Sequence, residues 1–224
     1  MDQTLVEITL DDLLHPESHE PLKVAIVPER TSSCGSDSES ITSRILEASG
    51  SGKYHIVLAP EYAYITDKGP LSKGMKDDYV ELFKGASDKT MIIPGTFVWK
   101  RGKQMFNTAY VFNKGETMLR YDKSIDGGDS SIAEQYNLNP VYGKRLGRFQ
   151  WCDLKIGIEI CADGGILEDH NVRDRDLVFL VSCGNSDLDT SMLAVREGGY
   201  GIIADGFFRK FYSSKKSAFS QGSL

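Results

Sequence analysis

The stretch from Ile156 to Gly165, IGIEICADGG, limits the possible folds more than any other part of this chain. Ile156, Ile158 and Ile160 alternate with Gly157 and Glu159, the pattern of a short strand rich in β-branched residues. The run halts at Cys161, followed by Ala162, Asp163 and a glycine pair, so Cys161 stands at a strand-to-turn corner. Such a corner pushes the side chain out of the sheet, bares neighbouring backbone N–H groups and can open a helix whose positive end favours thiolate over thiol. That is a seat for a nucleophile. The plainer alternative is a buried structural cysteine, a residue type common in protein cores.

Comparable strands recur along the chain. Val24 to Glu29 is a core strand, and Tyr54 to Leu58, Met91 to Phe97, Leu177 to Val181 and Tyr200 to Ala204 repeat the type. Asn107 to Phe112 turns through Asn113-Lys114-Gly115-Glu116 into a returning strand, Thr117 to Tyr121, and Gly147 to Trp151 pairs with Leu154 to Ile160. Helical spacing falls between them, at Ile41 to Ala48, at Met75 to Gly85 with Tyr79, Leu82 and Phe83 on one face, at Ile166 to Val172, and at Leu188 to Arg196 with Gly198 and Gly199 as its stop. Strands and helices in alternation make an α/β chain. Residues 1–22 read as an N-terminal arm, a short strand or helix on a connector. Residues 23–206 form one domain, and residues 207–224 are a Ser/Lys-rich tail expected to be mobile in part.

Two more chemical groups sit where Cys161 does, just past a strand. Glu61 follows Tyr54 to Leu58 through Ala59 and Pro60, and Lys123 follows the returning strand Thr117 to Tyr121. In α/β folds, sites lie on the edge where strands end. Taken singly, each has a bland reading, a solvated loop acid and a surface lysine. The glycine-containing segment Ile125 to Tyr142, which includes Glu134, is long enough to cover a site.

Composition narrows the partners. Of 224 residues, 26 are Lys or Arg and 32 Asp or Glu, and the net charge of −6 argues against nucleic acid. No apolar run reaches the length of a membrane span, and the first basic residue is Lys23, so no secretory signal with a charged start is visible and a cytoplasmic protein is expected. Cys34, Cys152, Cys161 and Cys183 are scattered without a CxxC pair, which indicates neither a zinc site nor a disulfide framework; no cofactor or metal is expected.

A strand ending in Glu, a second in Lys and a third in Cys, in that order, resembles the nitrilase, or carbon-nitrogen hydrolase, superfamily. LAPEYAY resembles the family's glutamate motif, NTAYVFNKGETMLRYDKS its Asn-Thr-Ala, turn and lysine motif, and IGIEICADG its Gly-x-x-Ile-Cys-x-Asp motif; SMLAVREGGYGIIADG looks like its late helix and strand. The resemblance covers about residues 23–206. It implies an αββα sandwich, two stacked mixed sheets flanked by helices and completed as a four-layer core on dimerisation. It implies a homodimer or higher oligomer acting on a small amide or nitrile. It also implies a Glu-Lys-Cys triad: Cys161 as thiol nucleophile, Glu61 as base, Lys123 as oxyanion stabiliser, with the N–H of Ala162 as a second donor.

The family often adds a second glutamate between the lysine and the cysteine. Glu134 is the candidate here, and Glu159, sent to the opposite face from Ile158 and Ile160 by strand alternation, is read as structural. Tyr62 and Asn185 are the substrate-binding candidates, and Ala109, Tyr110, Tyr64, Phe97 and Trp99 are either pocket lining or core. After Cys161 the chain departs from the family's Arg and Phe-Pro-Glu stretch, with Gly164, Gly165, Ile166 and Leu167 before Glu168. Three hypotheses follow: an amidase-type hydrolase of a non-peptide C–N bond, a catalytically inert nitrilase-fold binding or regulatory protein, and an unrelated Cys-His hydrolase using His55 or His170.

Overall fold

The computed structural model describes residues 5–28, 38–184, 190–206 and 210–215. Their strands form two sheets stacked face to face. The first has at its centre β2 (Pro21–Ile26), β3 (Ile56–Leu58) and β5 (Met91–Ile93), which run parallel. Beside them lie β7 (Gln104–Asn113) and β6 (Thr96–Arg101), with the two-residue strand β4 (Leu71–Ser72) at the far edge. The strands β8 (Glu116–Asp122) and β9 (Asn139–Pro140) also pair with β7. The stretch expected as a strand or helix on a connector is strand β1 (Val6–Leu14), antiparallel to β2.

The second sheet runs β10 (Arg148–Trp151), β11 (Leu154–Ile160), β12 (Arg175–Ser182), β13 (Val195–Asp205) and β14 (Lys210–Lys215), with β11, β12 and β13 parallel. Alternation places one face of each sheet against the other. Val24, Ile26, Ile56, Leu58, Ala109 and Val111 from the first sheet meet Ile156, Ile158, Ile160, Phe179, Val181 and Ile202 from the second in one buried cluster. Each of the larger side chains here contributes about 1.5–3 kcal/mol on burial. The sheet-on-sheet core is formed within the one chain.

The other face of the first sheet is covered by α1 (Ser38–Gly50) and α2 (Lys73–Ala86), which starts at the Ser72 cap, its Oγ accepting the Met75 N–H. Here Tyr64 stacks on Phe97 at 4.4 Å between ring centres and Trp99 on Phe106 at 4.5 Å. Tyr110 is in the same cluster, so these four expected pocket candidates, Tyr64, Phe97, Trp99 and Tyr110, are core residues under the helices; Ala109 is core between the sheets. The short helix α3 (Asp129–Gln135) breaks the long segment after Lys123, and α4 (Ile166–Asp169) follows the Cys161 corner and covers the second sheet.

Of the segment Leu188 to Arg196, expected as a helix, the described residues 190–196 form none. A single 3-10 turn, Thr190–Met192, gives way to β13, which runs straight through Gly198 and Gly199. Pairing with β12 overrides the helical spacing, and the glycines serve an irregularity in that pairing. A Cβ on Gly199 would lie 2.5 Å from the Val195 side chain and 2.8 Å from the Asp176 carbonyl. Cys183 is disulfide-bonded, against the expectation of no disulfide framework, whereas Cys152 and Cys161 are free thiols. Among the described residues no helix is long and apolar enough to cross a membrane.

Candidate active site

Four strands deliver the site's residues to one edge of the sandwich. The chain leaves β3 at Leu58 and reaches Glu61 through Ala59 and Pro60; this corner is held by the Tyr62 N–H donating to Thr96 Oγ1 at 2.9 Å. It also sits directly on Gly95, where a Cβ would come within 2.0 Å of the Pro60 carbonyl, so no larger residue fits there. Asn107 comes from β7, and Lys123 follows β8 with its N–H bonded to the Asn107 carbonyl at 2.9 Å. Cys161 follows β11 with φ of 46°, a left-handed conformation a non-glycine residue adopts only when its surroundings hold it there. The corner read from IGIEICADGG is thus a strained elbow that opens a 3-10 turn, Cys161–Asp163.

Glu61, Lys123 and Cys161 are 0%, 1% and 5% exposed, and they come together. Lys123 Nζ donates to Glu61 Oε1 at 2.7 Å. Glu61 Oε2 is buried without a hydrogen-bond partner among the described residues, and the Cys161 thiol lies close enough to the carboxylate to lower its pKa. Burial, outweighing Lys123 and reinforced by Asp129, raises Glu61 to about 7. Burial would also strip the proton from Lys123, but the carboxylates of Glu61 and Asp129 prevail and hold its pKa above the ordinary lysine value. Burial and the Glu61 charge push Cys161 up to about 11, while the Ser182 hydroxyl and the Cys183 N–H pull it partly back by hydrogen-bonding the sulfur. The thiolate-favouring helix end expected from sequence is outweighed by this desolvation: at neutral pH the sulfur keeps its proton.

A second carboxylate on Lys123 was missed. Asp129 Oδ2 lies 2.8 Å from Nζ as an ion pair without hydrogen-bond alignment, and Asp129 Oδ1 accepts from Asn107 Nδ2 at 2.9 Å and from Tyr62 OH at 3.2 Å. Asn107 Nδ2 also reaches Glu61 Oε1 at 2.9 Å, so one amide bridges the two acids. Glu134 lies on the same helix, α3, but is exposed and is not brought to Lys123. The available signals were Asp129 in the first turn after Gly127-Gly128 and the Asn of the Asn-Thr-Ala motif.

Tyr62 borders the site, with the Lys123 ammonium 5.6 Å from its ring centre. Beside Lys123, Met105, Asn107, Asp129, Pro140, Val141 and Tyr142 line a crevice too narrow to admit a water molecule. Ala162 follows the nucleophile at the start of the 3-10 turn. Asn185 lies outside the described residues.

Asp163 ties the cysteine corner to the lysine corner. Its buried carboxylate accepts from Tyr121 OH at 2.6 Å, from the Ser124 N–H at 3.1 Å and from the Ile125 N–H at 2.7 Å. His55 is occupied elsewhere: its Nδ1 accepts the Lys23 N–H at 3.0 Å and its ring stacks on His15 at 4.3 Å. His170 is exposed at the end of α4.

Solved structures share this arrangement of sheets. A carbon-nitrogen hydrolase from Helicobacter pylori G27 superposes with TM-score 0.58 at 18% identity, over 82% of this chain and 73% of that one. This chain has the nitrilase-superfamily fold. The nitrilase-superfamily amidase of Nesterenkonia sp. AN1 superposes with TM-score 0.60 at 15% identity, over 82% of this chain and 78% of that one. A glutamate-to-glutamine mutant of that amidase, carrying the acetamide moiety of fluoroacetamide on its active-site cysteine, reaches 0.63 at 16% identity, over 92% and 83%. No protein-family model and no curated protein matches the chain.

Proposed function

We propose that the protein hydrolyses a non-peptide C–N bond of a small amide, nitrile or carbamoyl compound through a thioester on Cys161. The observation that carries this reading is the buried Lys123–Glu61 pair, 2.7 Å apart, beside a free thiol held at a left-handed corner. The nitrilase-superfamily amidases that share the fold, one with a covalent adduct on its cysteine, support it.

Each group has a task suited to its state. Cys161 is protonated at neutral pH, so attack requires a base, and Glu61, raised to about 7, is matched to accept the thiol proton. As sulfur bonds to the carbonyl carbon, the carbonyl oxygen gains the negative charge. Lys123 and the Ala162 N–H stabilise it; one such donor is worth about 2.7–4 kcal/mol of barrier. Glu61 then passes its proton to the leaving nitrogen, the C–N bond breaks and the thioester remains. Water attacks the thioester while Glu61 takes its proton, and the acid leaves as the thiol is restored. Asp129 and Asn107 keep Lys123 and Glu61 in place, and Tyr62 shapes the substrate side. The same reading carries a cytoplasmic homodimer.

The test is ammonia release over a panel of small amides, nitriles and N-carbamoyl compounds, with Cys161→Ala as the blank. Turnover in the wild type alone, with iodoacetamide labelling Cys161 and stopping it, is the expected result. Equal ammonia from wild type and blank across the panel would overturn the reading and favour an inert binding protein.

A further inference from the structure

Glu159 is two residues before the nucleophile, fully buried, and unused by the mechanism above. It faces away from the sheet-on-sheet core, toward α4. Its Oε2 accepts the Gly165 N–H at 3.0 Å and its Oε1 the Leu167 N–H at 2.8 Å. These amides belong to the N-terminal cap and first turn of α4, whose cap residue, Gly165, has no side chain to serve them. A carboxylate from the preceding strand reaches across and does so instead.

The consequence concerns the five residues between. Cys161 to Gly165 leave β11 at a strained corner and would have several ways to turn. Asp163 grips this segment toward Ser124 and Ile125, and Glu159 grips its far end. The Ala162 N–H lies between the Cys161 corner and the first of these grips, so its direction depends on how the segment after it is held.

The geometry points to Glu159 as a positioning residue: its ionised carboxylate clamps the segment after the nucleophile and so aims the Ala162 N–H and Cys161 Sγ at the substrate. A neutral carboxyl carries its proton on one oxygen, which becomes a donor and a much weaker acceptor, so the hold on one of the two N–H groups loosens. The inference rests on the thiol-hydrolase reading. Burial raises Glu159 to about 7, opposed by the two N–H groups and reinforced by Asp163 of the turn and Asp169 of α4, the charged groups that act on it.

The experiment compares wild type and Glu159→Gln, a substitution of the same shape that mimics the neutral form, from pH 5.5 to 8.5. At pH 8 the variant loses about tenfold to a hundredfold in kcat, the effect of a reacting group displaced by up to ~1 Å, with KM little changed. The ratio of wild type to variant then shrinks toward one below about pH 6, where the wild-type carboxyl is as neutral as the variant's amide. A merely structural role gives a ratio that does not depend on pH. Equal kcat at every pH, in a wild type that Cys161→Ala silences, overturns this inference and leaves the hydrolase reading standing. A wild type without turnover on any substrate overturns both. If Glu159→Gln does not fold, the wild-type amide resonances of Gly165 and Leu167 decide: they should titrate together near pH 7, and resonances unmoved between pH 6 and 8 overturn the clamp.

Discussion

Replacing Asp129 by Asn tests whether the buried lysine needs both of its acids. The substitution keeps the shape and leaves Oδ1 to accept from Tyr62 and Asn107, but it removes a charge 2.8 Å from Lys123 Nζ and turns an N–H₂ group toward the ammonium. At an effective dielectric of about 20, a unit pair at that distance attracts by about 6 kcal/mol before desolvation is counted. Breaking a buried pair from one side costs about 3–5 kcal/mol in practice. Lys123 retains Glu61, so the loss of stability falls at the low end, about 3 kcal/mol by urea denaturation at pH 8. Asp129 also raises Glu61, and its removal lets Glu61 ionise at lower pH. The acid limb of kcat/KM against pH should therefore move downward, while turnover on the plateau drops about tenfold to a hundredfold as Lys123 loses its second anchor. An acid limb that moves upward, or full turnover with unchanged stability, would refute the reasoning.

Gly127→Ala should impair turnover without unfolding the chain. A Cβ there would lie 2.9 Å from the Ala162 side chain and 3.1 Å from Lys123 Nζ, and Gly127 is exposed, so a loss of about tenfold or more in kcat/KM is expected with the melting temperature nearly unchanged. Glu61 and Glu159 should make the wild type less stable as pH rises, against a smaller opposite pull from His15 and His55, whose pKa values burial lowers. Glu61 and Glu159 are both raised from 4.5 to about 7, so between those values the folded chain holds protons that the unfolded chain has released. That contribution is intact below pH 4.5 and is lost by pH 7, up to about 3 kcal/mol per group. Urea denaturation at pH 5, 6, 7 and 8 measures it, and stability rising steadily across the series would contradict the burial of both acids.

How much was legible depends on how local the cause is. Glu61, Lys123 and Cys161 could be singled out because each stands just past a run of alternating or β-branched residues, and a strand end is a local property. The corner at Cys161 was readable for the same reason. Its pKa was not, because that follows from the low-dielectric environment assembled by two sheets and from a carboxylate a hundred residues earlier. The segment Leu188 to Arg196 has helical spacing, yet the register with β12 makes its end a strand. Long-range pairing outweighs a weak local preference.

The sequence by itself determined the α/β alternation, the order of acid, ammonium and thiol, and the turn that carries the sulfur, since these depend on spacing and on the conformational limits of neighbouring residues. Tertiary structure alone decided which carboxylate meets Lys123. Asp129 and Glu134 sit five residues apart on α3, roughly 140° around the helix, so whichever way the helix docks only one can face inward. Docking buries the Asp129 side and leaves Glu134 in water. Packing likewise made Glu159, an acid that strand alternation only sends to the far face of β11, the cap of α4. Both outcomes follow from burial: a charged group can be taken out of water only where the fold supplies its partners.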